Sequence, residues 1–534
     1  MSSRFILQVF DQYQKARMQF VQTITDLASK RHNAEYLDNA GILNLLCPLL
    51  WDVTPSIQQL TTIALGRLAN HNMKIAEAIL QKNILPQLLK QINKKTEFYK
   101  KAVLFLLRSL VKHSPVIALT VVSEGGLEAM AICLEDFNLG IKEAAAWAVG
   151  YISKHNKCLA QAAVDCGTVP LLVLCLQESQ LCLKQVSTSA LCDISKHTTD
   201  LAQIVVDAGA VPILAKTMLN PDIKLKRQVL SAFGCIAKHS IELAESVMEA
   251  QVFPETFYLM RHVDDNIAKS AANLTKEVCK HTVELAQLIT NLGGIEFLVE
   301  MIDCKSSSTK LPAIIALGYI AGHSDQLALT VIELKSINQF AAILETEHEN
   351  HILAIVVWAL GQIGKHSAEH AQAVATANVL TFIIELYTNS RNSEDLRLKC
   401  KITLKQVLQK CLYIEALEPL LHDAPSNILK YILGQFSKIL PNDAKARRLF
   451  VTTGSLKKIQ EIQTDPNSIL SEYITIINCC FPEEIVRYYS PGYPDSLLEA
   501  VDQYQPNCLF NEIKCKRLNK QSDSSISIDE NNEE

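Results

Sequence analysis

The stretch that decides the fold is TTDLAQIVVDAGAVPILAKTMLNPDIKLKRQVLSAFGCIAKH, residues 198–239, because it reads as three consecutive helices. A short helix around 201–206 ends at Gly209, since glycine adopts the left-handed conformation of a helix terminus at little cost. Pro212 opens a second helix, where its missing N–H group is not needed. An Asn-Pro-Asp triplet then interrupts the chain, and apolar residues at helical spacing predict a third helix over about 224–238.

The same pattern recurs along the chain with a period of about 42 residues. A histidine marks the end of each unit, and the turn position twelve residues later keeps the same step. A fixed period of this length predicts a stack of equivalent units, each of which buries its core against its neighbours. The histidine row is His71, His113, His155, His197, His239, His281, His323 and His366, and the turn positions are Gly41, Asn83, Gly125, Gly167, Gly209, Gln251, Gly293, Lys335 and Asn378.

The three-helix unit resembles the armadillo repeat. This resemblance implies an all-α, right-handed superhelical solenoid with a long concave groove. The expected division of the chain is an N-terminal capping helix at 1–30, eight clear repeats over 31–366, a ninth over 367–410, degenerate repeats over 411–480, a separate C-terminal segment at 481–506 and a polar, acidic, disordered tail at 507–534. The capping helix is expected to cover the first repeat with its apolar residues, which are Phe5, Ile6, Val9, Phe10, Tyr13, Phe20, Val21, Ile24 and Leu27.

Composition disfavours several classes of function. The net charge is −5, from 51 Lys and Arg against 56 Asp and Glu, so no overall positive field favours nucleic acid. The 16 cysteines show no CxxC spacing and lie mostly among apolar residues, which is typical of a reduced, cytoplasmic protein. No apolar run reaches about 18 residues, and the first residues lack the apolar core of a signal peptide, so no membrane partner is expected. Nucleotide-binding, metalloprotease and hydrolase motifs do not occur, and we expect neither enzymatic activity nor a cofactor.

The histidine row is interpreted as structural. Lysine precedes the histidine in six of the eight units, and such a pair places donors near the unpaired carbonyl groups at a helix C-terminus. Equivalent positions on stacked helices lie ~8–10 Å apart, whereas each ligand of a zinc ion lies within ~2 Å of it. Neighbouring histidines therefore cannot share a metal, and no metal site is expected.

A second row, of lysines, stands thirteen residues before the histidines. These lysines open the third helices, where the helix dipole disfavours a cation. Placement against a local preference suggests binding to an acidic partner, and ordinary solvated lysines are the alternative. The candidate partner-binding lysines are Lys100, Lys142, Lys184, Lys226 and Lys310, and the row is interrupted at Gln58, Ala268 and Leu353.

Trp147 and Trp358 are the remaining candidate partner-binding residues. Armadillo adaptors of nuclear import carry a tryptophan and, four residues later, an asparagine on successive third helices. Here two repeats have the tryptophan and neither has the asparagine, so cargo import is disfavoured. Packing in the wall of the groove is the alternative role for both tryptophans.

Several segments that the armadillo pattern does not dictate resemble the sperm-associated antigen 6 family. That resemblance implies a non-enzymatic structural component of the central apparatus of motile cilia and flagella. Such a protein would lie in the axoneme, part of the cytoskeleton, and bind a central microtubule (tubulin) and neighbouring projection proteins. The matching segments are LQVFDQYQKARMQFVQ at 7–22, FYKKAVLFLLRSLVKHSP at 98–115, CLEDFNLGIKEAAAWA at 133–148 and PEEIVRYYSPGYPDSLLEAVDQYQP at 482–506, and the residues after 506 depart from the family pattern.

Two other classes of function stay open. A cytoplasmic signalling adaptor would hold an extended peptide in the groove, although the interrupted lysine row counts against it. A self-associating scaffold would stack end to end through the apolar N-terminal helix and the Tyr488-Tyr489 region. Large, concentration-dependent species in sedimentation would indicate self-association.

Overall fold

The chain forms a continuous row of helices, and the computed structural model describes residues 3–92, 96–304, 306–465 and 468–493, together with 496, 499, 501 and 503. All regular structure in those residues is α-helical. The first half contains α1 (Ser3–Leu27), α2 (Arg31–Asn39), α3 (Ile42–Leu49), α4 (Pro55–His71), α5 (Met73–Gln81), α6 (Leu85–Ile92), α7 (Glu97–Val111), α8 (Pro115–Ser123), α9 (Gly126–Leu134), α10 (Leu139–His155), α11 (Lys157–Asp165), α12 (Thr168–Cys175), α13 (Leu181–Ser195), α14 (Thr199–Asp207), α15 (Ala210–Met218), α16 (Ile223–Ala237) and α17 (Ile241–Glu249).

The second half continues the same order of two short helices and one long one. It contains α18 (Phe253–Met260), α19 (Asp265–Cys279), α20 (Val283–Asn291), α21 (Gly294–Cys304), α22 (Ser307–His323), α23 (Asp325–Glu333), α24 (Ser336–Thr346), α25 (Asn350–Gly364), α26 (Ala368–Thr376), α27 (Val379–Thr388), α28 (Glu394–Leu408), α29 (Ile414–Asp423), α30 (Ser426–Ile439), α31 (Ala444–Thr452), α32 (Ser455–Gln460), α33 (Ile469–Asn478) and α34 (Glu483–Tyr489).

The long third helices form the spine of the molecule. Each of them, from α4 through α28 and on to α30 and α33, packs against the next, so that one core of Leu, Ile, Val and Ala runs along the solenoid. The unit that ends at α30 has a single preceding short helix, α29, where the others have two. The architecture is an all-α armadillo solenoid, as the sequence predicts. The division into domains stays a prediction.

The corner between the first and second helices of a repeat is made by one residue in the left-handed conformation. All nine predicted turn positions have a positive φ, between 49° and 87°. Five of them are glycine, which takes this conformation without a steric penalty, and Gly454 makes the same corner between α31 and α32 at φ 83°. Among the described residues no single helix is both long and apolar enough to cross a membrane, and five short-helix pairs reach that composition only together, across bends of 71–82°.

The residue after each of seven histidines in the row caps the next first helix. In each case its side-chain oxygen accepts a hydrogen bond from a backbone N–H in the first turn, an interaction worth about 1 kcal/mol. A histidine followed by Ser, Thr or Asn is therefore a signal in the sequence for the start of a first helix. The capping residues are Asn72, Ser114, Asn156, Thr198, Ser240, Thr282 and Ser324.

Helix α1 packs against α4 and takes the place of a preceding third helix. Thr25 Oγ1 donates to the Leu60 carbonyl at 3.3 Å, and an Arg67 N–H donates to the Thr25 carbonyl at 2.6 Å. The predicted covering face is only partly correct. Val21 and Ile24 are buried, but the other described members of that face are exposed; they are Val9, Phe10, Tyr13, Phe20 and Leu27. The side chains of Phe5 and Ile6 lie outside the described part.

Candidate interaction surfaces

The histidine row joins each repeat to the one before it. Every Nε2 lies 2.6–3.1 Å from a backbone carbonyl oxygen at the C-terminal end of the preceding long helix. Such carbonyls have no partner within their own helix, so the imidazole N–H satisfies them. The structural interpretation of the row is confirmed. The pairs are His71–Ala28, His113–Ala69, His155–Val111, His197–Ser153, His239–Ser195, His281–Ala237, His323–Cys279 and His366–Ala321.

Burial keeps several of these imidazoles neutral. It lowers the pKa of His113, His239 and His366, and this effect outweighs the carbonyl hydrogen bond that acts in the opposite direction. The lysines before two of them also reach back to the preceding repeat, since Lys112 Nζ donates to the Asn70 carbonyl at 2.5 Å and Lys238 Nζ to the Lys196 carbonyl at 2.6 Å. The ends of the long helices are therefore tied together by two kinds of donor.

Three lysines of the lysine row form ion pairs with the following repeat. Lys100 lies 2.7 Å from an Asp136 carboxylate oxygen. Lys142 lies 2.6 Å from Glu178, and Lys226 lies 2.5 Å from Glu255. The side chains of these lysines are between 15 and 20 % exposed, so a partner that binds them has to compete with an acid already in place.

The Lys100–Asp136 pair also shifts the pKa of both groups. The hydrogen bond from Lys100 to Asp136 is the largest cause of the raised pKa of the lysine. Burial acts to raise the pKa of Asp136, but the hydrogen bonds from Lys100 and from the Asn138 N–H outweigh it and hold that pKa below its usual value. The two remaining lysines, Lys184 and Lys310, are half-buried and form no ion pair within the described part of the chain.

The two tryptophans lie on long helices but in different surroundings. Trp147 on α10 lies between Arg108, whose guanidinium carbon is 4.9 Å from the ring centroid, and Tyr151, whose ring is stacked at 5.8 Å. A cavity of about 130 Å³ separates this cluster from Asp193 on α13. Trp147 is thus partly accessible at the edge of a polar cavity.

Trp358 on α25 is packed against the neighbouring long helix. Its ring meets Tyr319 edge-on at a centroid distance of 5.2 Å. It also lies so close to Gly318 that a Cβ atom there would stand 2.4 Å from the ring. Gly318 is therefore required for this packing, and the position of Trp358 matches the role of groove wall. Partner binding by either tryptophan stays a prediction.

The fold has clear counterparts among solved structures. An engineered protein from a structural genomics programme matches 73 % of this chain and 94 % of its own with a TM-score of 0.69 and 20 % identity, which shows the fold alone. A designed armadillo repeat protein in complex with the peptide (KR)4 matches 44 % of this chain and 99 % of its own, with a TM-score of 0.43 and 18 % identity. No family model matches. The solenoid and its repeated surfaces define an armadillo protein, a class that acts through protein–protein contacts.

Curated relatives give the more specific assignment. The chain is 59 % identical over 506 residues to sperm-associated antigen 6 from mouse, a match that covers 95 % of this chain and 100 % of the relative. The human protein of the same name is also 59 % identical over 506 residues, with 99 % of it covered. The chain belongs to the sperm-associated antigen 6 family, as the sequence segments predict.

Proposed function

We propose that this protein is a non-enzymatic structural scaffold of the central pair apparatus of motile cilia and flagella. It binds a central microtubule and neighbouring projection proteins, and it supports axoneme integrity and motility. The observation that carries the proposal is the 59 % identity along nearly the whole length of sperm-associated antigen 6 from mouse and human. The role itself follows from what that family resemblance implies.

The structure supplies a physical reason why such a chain suits a filament. Hydrogen bonds between repeats hold a row of equivalent surfaces at a fixed spacing, so the same chemistry is presented many times along one edge. Weak contacts on one rigid body add through effective concentration, because the first contact makes the others intramolecular. Lys184 and Lys310 supply positive charge that no described carboxylate neutralises, and an acidic filament surface is a fitting partner for them.

Fractionation of a ciliated cell that expresses the tagged full chain tests this function. Membranes are removed with detergent, and the axonemes are then extracted with increasing salt. We expect the protein to stay with the axoneme after detergent and to lie between the outer doublets by microscopy. Complete release with detergent would contradict the proposal.

The alternative is a cytoplasmic signalling adaptor that binds an extended peptide in its groove. One observation favours it, namely the 130 Å³ cavity beside Trp147 and Tyr151, which suits an aromatic side chain of a peptide. Under this alternative the protein is soluble after detergent, and a bound peptide is lost in the Trp147→Ala variant. The same variant retains axonemal attachment if the scaffold function is correct.

A further inference from the structure

A basic cavity of about 470 Å³ opens between the long helices α28, α30 and α33. The residues that line it include Lys410, Lys430 and Lys438 and the aromatic residues Tyr431 and Tyr473. Lys410 follows the end of α28, Lys430 and Lys438 stand on α30, and Tyr473 stands on α33. Three positive charges from two consecutive repeats therefore converge on one space.

The cavity occurs where the histidine row ends. His366 stands two residues beyond α25, and Lys410 occupies the same place after α28. After α30 the place is taken by Pro441, which has no side-chain donor. The Gln435 side-chain amide reaches back to the Gln409 carbonyl at 3.0 Å, but no imidazole fills the space between the helices.

The charge of this cavity is uncompensated. Its described lining contains no carboxylate, and within the described residues no ion pair joins Lys410, Lys430 or Lys438 to an acidic side chain. Lys430 Nζ lies instead 5.1 Å from the centroid of the Tyr431 ring. In the central repeats, by contrast, Lys100, Lys142 and Lys226 each have an acidic partner, and none of the described cavities there is lined by three lysines without one. Three unpaired amino groups beside aromatic walls suit an acidic peptide.

We propose that this cavity binds the acidic C-terminal segment of the same chain, residues 521–534. That segment, QSDSSISIDENNEE, contains no Lys or Arg, and its acidic side chains are Asp523, Asp529, Glu530, Glu533 and Glu534. It lies outside the described residues. Residues 504–520 connect it to the last described residue, Gln503, and a chain of that length spans at most roughly 60 Å. The last described helix, α34, packs against α32, so the segment is tethered to the repeats next to the cavity.

Tethering makes the intramolecular occupant more favourable than a separate peptide. A segment on the same chain experiences an effective concentration that reaches the millimolar range for short connections, so individually weak ion pairs suffice for occupancy. The contact is electrostatic and on the surface, and salt is expected to weaken it. The site goes beyond the proposed scaffold function and does not depend on it.

Zero-length cross-linking of the full chain tests the site. A carbodiimide activates a carboxylate, and a lysine amine in contact with it displaces the activated group to form an amide and a urea. We expect amides between the 521–534 segment and Lys410, Lys430 or Lys438, with a yield that falls severalfold at high salt. Cross-links to the exposed Lys457 on α32 at equal yield, or none at all, would overturn the proposal.

Mixing isotopically labelled and unlabelled chains distinguishes an acidic segment of the same chain from one supplied by a second copy. In a mixture of ¹⁵N-labelled and unlabelled chains, the proposal expects cross-linked peptides of a single label. Links that join labelled to unlabelled peptides would show that a second copy supplies the acidic segment, and this outcome contradicts the intramolecular site.

Matched variants complete the test. The Lys430→Gln/Lys438→Gln variant is expected to lower the yield of the cross-link between Lys410 and the 521–534 segment at least fivefold. The control variant, Lys457→Gln/Lys458→Gln, is expected to leave that yield unchanged. If the first variant melts earlier than the wild type, Lys430→Arg/Lys438→Arg, which keeps both charges and leaves every carboxylate in place, is expected to retain the cross-link yield at Lys410. An undiminished yield at Lys410 in Lys430→Gln/Lys438→Gln, or an equal loss in the arginine variant, refutes the site.

Discussion

The central repeats and the C-terminal repeats share a core but differ in their joints, by which we mean the contacts between the C-terminal ends of consecutive long helices. From α4 to α25 every joint contains an imidazole that satisfies the end of the preceding helix. After α28 and α30 the corresponding places are held by Lys410 and Pro441, and a cavity of about 470 Å³ opens between α28, α30 and α33. Buried phenylalanines such as Phe436 and Phe450 continue the core across this boundary. The strict 42-residue period therefore ends where the imidazole joints end, although the core continues.

The largest expected effect comes from breaking a long helix in the central region. Ala190 is fully buried within α13, and proline there removes a backbone hydrogen bond and clashes with the preceding turn, at a cost of about 3 kcal/mol or more. Because each repeat is stable only against its neighbours, we expect hydrogen exchange to accelerate in α10 and α16 as well. Ala190→Gly, at about 1 kcal/mol, is the control. Faster hydrogen exchange in α13 alone would show that the joints couple the stabilities of neighbouring repeats only weakly.

Removing one imidazole tests the joints directly. His239→Ala leaves the Ser195 carbonyl without its donor, and an unsatisfied, partly buried carbonyl is expected to cost about 1–3 kcal/mol. Chemical denaturation monitored by circular dichroism measures this loss. The exposed His348 is the matched control, since His348→Ala is expected to change stability by less than about 0.5 kcal/mol. Equal effects at the two positions would be evidence against a structural role of the row.

The pH dependence of stability should differ between the two regions. Burial lowers the pKa of His113, His239 and His366, so the unfolded chain binds more protons than the folded one below the ordinary value of about 6.5. The stability that these neutral histidines contribute is complete above pH ~6.5. It is lost as the pH falls through the pKa that the histidines have in the folded protein. Hydrogen exchange at pH 7 and pH 5.5, corrected for intrinsic rates, should show loss of protection in α7 to α25 before α30 and α33. An equal loss of protection in all the helices would contradict the attribution of this pH dependence to the buried histidines.

The smallest expected effect concerns the lysine row and leaves the fold intact. Reversal of Lys142, Lys184 and Lys226 is expected to weaken axonemal retention, but two of these lysines have acidic partners and the change also removes ion pairs between repeats. Lys184→Glu/Lys310→Glu is the sharper variant, with a stability change within about 0.5 kcal/mol. Salt-graded extraction should release it at lower salt than the wild type. Retention equal to that of the wild type at every salt concentration would remove the lysine row from the binding surface.

Local features of the fold could be predicted from the sequence, and relations between repeats could not. The left-handed corner at Gly209 was predicted because glycine adopts that conformation at little cost, and the 42-residue period identified the eight equivalent positions, which include Gln251 and Lys335. The partner of His239 was not predicted, since its carbonyl acceptor belongs to a helix 44 residues earlier and depends on how two repeats are stacked. The ion pair of Lys142 with Glu178 could not be predicted from the sequence for the same reason. The apolar pattern of α1 showed which residues share a face, but not that Phe10 and Tyr13 would be left uncovered.

The imidazole joints also have a mechanical consequence. A rod made of identical joints bends evenly under load, because no joint is weaker than its neighbours. Within the described residues, the joint between α28 and α30 contains a cavity and the Gln435 amide contact where the earlier joints have an imidazole, so it is expected to be more compliant than the central joints. In a filament that curves back and forth, elastic deformation would concentrate there, and the stiff central span would keep its surfaces in register.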